Sequence, residues 1–327
     1  MRILLFSAGR LAQLLLILVL VTAATSLLSS LIPGDYFSVH ELDATIEKRT
    51  VQHLREQYGL DRPALVQYGY WLRNLVHFNL GFSLFYQAPV TGVVFAALGR
   101  TLWLALPSLL IGMLLGVFLG TFHATRSGRP AGALLDLLST VFLSLPTLVL
   151  GIAALLLAAR TGWFPLGSMN TLAGAETGFW GWMADRLHHM VLPVACLSVP
   201  ITATVERIQR TAASQALGEP YLRSARARGL PPARIFFQHL LRPSLNSVIS
   251  TSGPLFGGVL SGSLALEIIF AWPGLGRITY DALFNRDIFL LLGSVVTSTF
   301  LLVMGNLAAD LLLMKLDPRT RNAGAVR

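Results

Sequence analysis

Six apolar runs, each long enough or nearly long enough to cross a bilayer, decide what this chain can become. They cover residues 11–32, 101–122, 134–159, 190–205, 248–270 and 288–314. A membrane-crossing helix needs about 20 predominantly apolar residues. Of the 327 residues, 54% are hydrophobic and 13% charged, too apolar for one soluble core to hide. The expected fold is therefore all-α and integral to the membrane, with six transmembrane helices. Prolines inside these runs, such as Pro146, Pro193 and Pro200, are tolerated because neighbouring helices re-satisfy freed backbone groups.

Charge sets the topology. The net charge is +9, which admits nucleic-acid binding, but the arginines collect in particular loops between apolar runs. That is the pattern of cytoplasmic loops, so nucleic acid is excluded as a partner and both termini are expected on the cytoplasmic side of the membrane. Residues 1–32 form the first transmembrane helix, retained rather than cleaved, although Thr22-Ala-Ala-Thr25 offers the small residues of a signal-peptide site. Pro33-Gly34-Asp35 breaks it. Residues 33–96 form an extracytoplasmic segment of mixed charge, with amphipathic helices over 41–58 (Val51, Leu54 and Tyr58 on one face) and 65–76. A membrane core follows over 97–315, and a basic cytoplasmic tail over 316–327. Gly112, Gly116 and Gly120 fall four apart, one small face for a neighbouring helix; Gly253, Gly257, Gly258 and Gly262 are expected to notch the fifth span in the same way.

Chemistry of its own is hard to place here. The lysines are Lys48 and Lys315, neither preceded by glycine, so no Walker loop exists and the chain binds no nucleotide by that route. The lone Cys196 permits no intramolecular disulfide, and His188-His189 point to different faces of a helix, so no cofactor or metal is expected on this chain. No G-x-S-x-G elbow occurs. Asp136, Glu267 and Asp310 sit near span boundaries, where capping or helix pairing accounts for them better than a proton relay; a self-contained secondary transporter would show such charges at mid-depth.

The most specific stretch is 206–243. It carries Arg207, Arg210, Arg223, Arg226, Arg228, Arg234 and Arg242 against Glu206 and Glu219. Residues 221–228 are helix-permissive, Gly229 is a stop, and Pro231-Pro232 suit the first turn of a second helix. The two helices would meet in a knuckle.

Tyr221-Leu-Arg-Ser-Ala-Arg-Ala-Arg-Gly-Leu230, followed by His239-Leu-Leu-Arg-Pro243, resembles the EAA loop of ABC importer permeases, in the variant of the dipeptide, oligopeptide, nickel and glutathione branch. Against the general EAA consensus the literal matches are Ala225, Gly229 and Leu241; against the branch variant the departures are Ser224 for Thr and Pro243 for Asn. The likeness extends along the chain. It includes Pro33-Gly34-Asp35, Tyr58-Gly-Leu-Asp-Arg-Pro63, Asn79-Leu-Gly-Phe-Ser83, Thr101-Leu-Trp-Leu-Ala105, Gly162-Trp-Phe-Pro165, Glu267-Ile-Ile-Phe-Ala-Trp-Pro-Gly-Leu-Gly-Arg277, Asp281-Ala282, Arg286-Asp287 and Asp317-Pro-Arg319.

The resemblance implies a type I ABC importer transmembrane domain. It implies a permease subunit, not an enzyme, forming half of a translocation pathway for di- or oligopeptides, with nickel chelates or glutathione as alternative cargo. The implied partners are a second permease in a heterodimer, two cytoplasmic ATPases that hold ATP and Mg, and an extracytoplasmic solute-binding protein. Tyr221, Arg223, Ser224, Ala225, Arg226, Arg228, Gly229, Leu230, His239 and Leu241 would then form the ATPase-coupling surface, with 206–243 as coupling loop. No substrate contact is assigned.

Overall fold

The structure is a computed structural model that describes residues 2–40, 48–126, 128–171 and 178–316. The chain separates into two compact units, Met1–Thr101 with Pro273–Val303, and Leu102–Trp272 with Met304–Arg327.

The first unit begins with helix α1 (Arg2–Leu31), followed by α2 (Tyr36–His40), α3 (Lys48–Tyr58) and α4 (Ala64–Val76). Thus the amphipathic helix expected over 41–58 is helical from Lys48; its first residues, 41–47, lie outside the described residues. The Tyr68 hydroxyl of α4 donates to the Val19 carbonyl at 3.1 Å and lies 3.0 Å from Thr22 Oγ1, tying α4 to α1. A two-stranded hairpin, β1 (Phe82–Ser83) and β2 (Ala88–Pro89), leads into α5 (Val90–Thr125). The unit is completed by α12 (Leu275–Phe284) and the first part of α13 (Ile288–Leu316). Asp287 organises this end. One carboxylate oxygen accepts from Ser83 Oγ at 2.7 Å and the Phe85 amide at 3.1 Å; the other accepts from the Leu290 amide at 3.1 Å, in the first turn of α13. Trp71, Val90, Val94, Leu290 and Leu292 form the apolar centre.

In the second unit, α6 (Pro130–Ser144) and α7 (Thr147–Thr161) together make one apolar stretch, bent by 100°. The expected third span is therefore a broken one. The bend falls where Leu145, preceding Pro146, is held extended at φ −86°, ψ 121°, since proline disfavours helical backbone in the residue before it. Helix α8 (Gly178–Gly218) continues well past the apolar run at 190–205, so the first part of the basic stretch is helix rather than loop. Then come α9 (Pro220–Ala227), α10 (Pro232–Arg234), a π-helical stretch Ile235–Leu241, and α11 (Arg242–Ile269). The last three run on as one continuous helix, Pro232–Ile269. Leu104, Leu197, Val205, Leu266, Phe270 and Trp272 are the core. Among the described residues, five helices are long and apolar enough to cross a membrane, and the bent α6–α7 pair makes a sixth crossing if counted as one. The tail from 317 onward lies outside the described residues.

Candidate functional site

Small residues let α5 and α8 approach closely. An added Cβ would stand 2.7 Å from Ile201 Cβ at Gly112, 2.5 Å from Val205 Cβ at Gly116, and 2.5 Å from the Glu206 carbonyl oxygen at Gly120. Elsewhere the glycines differ. A Cβ at Gly253 would meet Asn306 Oδ1 at 2.7 Å; at Gly262 it would touch Leu197 at an ordinary 3.5 Å, and at Gly258 it would meet nothing. Gly257 is half-buried.

At the basic end of this seam lies a buried polar cluster that no sequence pattern announced. Glu206 is 1% exposed, His123 2% and Ser139 6%. His123 Nδ1 donates to Glu206 Oε1 at 2.6 Å, and Ser139 Oγ donates to Oε2 at 2.7 Å. Arg210 Nη1, which can only donate, lies 3.4 Å from the other ring nitrogen, Nε2, so the ring presents Nδ1–H to Glu206. On the other side of the ring, Arg210 pairs with Asp136, whose Oδ2 is 3.6 Å from His123 Nε2. One helical turn further, the fully buried Gln209 donates to Thr121 Oγ1 at 2.9 Å and Ser244 Oγ at 2.8 Å. Carboxylate and amide thus join α5, α6, α8 and α11 through groups that would be costly to leave unpaired in so dry a place.

The knuckle is built on this foundation. Leu222 and Ala225, three apart, are 1% and 0% exposed; Leu222 joins Ala124, Ala213, Ala216 and Leu240 in a small apolar cluster. Arg223, Ser224, Arg226 and Arg228, with Tyr221, lie on the exposed face. Partial desolvation, with the charge of Glu219, raises the Tyr221 phenol above its ordinary pKa. Helix α9 ends in a paired reversal: the Gly229 amide donates to the Arg226 carbonyl at 2.9 Å and the Leu230 amide to that of Ala225 at 3.3 Å. This is the Schellman arrangement, and Gly229 holds its left-handed φ of +70°. Leu230, His239 and Leu241 are half-buried. Between α9 and the π-helical stretch lies an open groove of about 420 Å³, lined by Leu217, Leu222, Arg226, Leu230 and Phe236. All ten residues singled out from the sequence therefore fall on one α9–turn–helix unit, six of them exposed around one basic face.

Comparison with known proteins bears on this arrangement. The profile of a family described as the binding-protein-dependent transport system inner membrane component matches residues 112–322, and that of its N-terminal companion matches 3–106. The oligopeptide transport system permease protein AppB of Bacillus subtilis is 33% identical over 93% of this chain and 95% of its own length. The di/tripeptide transport system permease protein DppB of Pseudomonas aeruginosa is 31% identical over 97% and 98%. Among solved structures, the MetNI methionine ABC transporter in an inward-facing conformation shares the fold, at a TM-score of 0.53 and 16% identity over 69% of this chain and 96% of that one.

Proposed function

We propose, from the premise that this chain belongs to the family of binding-protein-dependent transport system inner membrane components, that its cargo is a di- or oligopeptide and that its basic knuckle receives the stroke of an ATPase. The chain is an ABC importer permease subunit, the membrane component of its system rather than the enzyme. The peptide assignment follows the names of the relatives of matching length. Nickel chelates and glutathione are the remaining cargo classes of the branch.

In this reading the working assembly contains a second permease, two cytoplasmic ATPases that bind ATP and Mg, and an extracytoplasmic binding protein. On the same reading the knuckle faces the cytoplasm, which the arginine distribution supports. One observation carries the coupling role: a short helix anchored by Leu222 and Ala225 presents Arg223, Arg226 and Arg228 outward, and its chain re-enters the bundle as the continuous helix Pro232–Ile269. A push on the exposed face has a stiff path inward, and the Gln209 bridge ties that path to α5 and α8. Closure of the ATPases would then tilt these helices and switch which side the pathway opens to. Each exposed arginine contact is worth at most about 1 kcal/mol, so shape in the groove carries the fit and charge orients it.

The experiment is reconstitution of the complete complex in lipid with its binding protein. Peptide delivered by that protein should stimulate ATP hydrolysis several-fold. Stimulation by glutathione or a nickel chelate, with none by peptides, would reassign the cargo. ATP-independent uptake by this chain alone would overturn the reading.

A further inference from the structure

The first unit contains a second cavity, of about 480 Å³, which the transport reading leaves unused. Its polar lining includes Ser26, Ser29, Asp35, Arg55, Arg62 and Arg286; its apolar lining includes Leu283, Ile288 and Leu291. It sits where α1 ends, beside Leu27, Leu28 and Leu31, which are 56%, 63% and 72% exposed and therefore suited to face lipid.

Among the described residues, the charges lining this cavity do not cancel. Asp35 is taken by Arg55, through bonds of 2.7 and 3.0 Å, and its remaining contacts go to Ser38. Arg62 lies over the Tyr70 ring at 5.0 Å, and neither Arg62 nor Arg286 has a carboxylate partner among the described residues. Among the described residues, two guanidinium groups thus line one cavity with no carboxylate bound to either.

Arg286 is also in an unusual place. The Arg286 amide donates to the Leu283 carbonyl at 3.4 Å and the Asp287 amide to that of Ala282 at 2.9 Å, the same reversal that closes α9. There the left-handed residue is Gly229; here it is an arginine, at φ +54°. A left-handed arginine is backbone strain that glycine would relieve. Its side chain lies along Gly34, where an added Cβ would stand 2.8 Å from Arg286 Nη1 and where φ is itself +93°. The head group is thus held at the cavity by a backbone that leaves room for it.

We propose that this cavity binds an anionic phosphate group at the membrane surface, with Arg286 and Arg62 as its ligands and Ser26 and Ser29 as additional donors. Guanidinium groups offer forked donors that match phosphate oxygens. The apolar wall of Leu283, Ile288 and Leu291 and the exposed leucines of α1 favour an acyl-bearing phosphate, a phospholipid headgroup, over free phosphate. The proposal is independent of the cargo and of the ATPase contact.

The test uses the purified complete complex in detergent, titrated with dioctanoyl phosphatidylglycerol while its unfolding temperature is followed. Arg286→Gly removes the cation but suits the backbone, so it should fold at least as well as the parent. Wild type should be stabilised in a saturable way. Half-saturation should rise about fivefold in Arg286→Gly and again in Arg62→Gln, as for one arginine near a charged surface. Arg286→Lys should retain most of the binding. Inorganic phosphate competing at millimolar concentration would support the anion site with a soluble occupant; failure to compete would support a lipid. Equal half-saturation in wild type, Arg286→Gly and Arg62→Gln would overturn the proposal, as would equal stabilisation by dioctanoyl phosphatidylcholine.

Discussion

Gly229 and Glu206 matter for different reasons, and each reason makes its own prediction. Nothing lies within 4 Å of a Cβ built on Gly229, so space is not the constraint; the φ of +70° is. Gly229→Ala should cost about 1 kcal/mol in the turn, while Gly229→Asn, which tolerates the left-handed region, should cost less. Peptide-stimulated ATP hydrolysis by the reconstituted complex should follow the order Gly, Asn, Ala; equal rates for all three would show that the turn geometry is not used. Glu206 satisfies two buried donors, His123 and Ser139. Glu206→Ala leaves both unpaired, at about 1–3 kcal/mol each, whereas Glu206→Gln keeps an acceptor for one of them. The unfolding midpoint of the complex should fall clearly for Ala and less for Gln. The glycine was legible in the sequence because stop, prolines and helix-permissive residues are local signals. The carboxylate was not: its partner lies 83 residues away in an apolar helix, and no spacing rule links them.

At the scale of elements, helix contacts separate glycines that look alike in sequence. A side chain on Gly120 would press on the Glu206 carbonyl oxygen and, at 3.0 Å, on the Arg210 amide, backbone atoms that cannot turn aside. Gly120→Ala should therefore destabilise by about 1–3 kcal/mol. Gly258→Ala, facing open space inside α11, should be neutral or stabilising by about 0.5–1 kcal/mol. Thermal unfolding of the two variants checks the pair, and a loss at Gly258 equal to that at Gly120 would contradict the packing described. The four-residue spacing on α5 was readable because a periodic small face has a structural meaning. Solitary glycines such as Gly151, against Leu266, and Gly305, against Phe256, carry no period and were invisible. The start of the second helix was readable too, since Pro231-Pro232 suit a first turn. Its π-helical register over Ile235–Leu241 was not, because wide turns are set by tertiary packing rather than by composition.

For the whole molecule, six apolar runs and an uneven arginine distribution make a membrane bundle legible in the sequence. The 100° break at Pro146 and the division into two units required the structure, since apolar runs specify burial but not direction. The central claim is that a subunit without a motor is driven through the α9 knuckle from the cytoplasm. A single reporter cysteine tests it most directly: Cys196 is the one native cysteine and is buried, and Ala227 is exposed at the end of α9. Cys196→Ala with Ala227→Cys, in the complete complex in sealed vesicles of known orientation, should crosslink to an ATPase subunit, with a yield that changes on ATP binding. Labelling of that cysteine by an impermeant maleimide from the extracytoplasmic side, with no crosslink to the ATPase, would contradict the account.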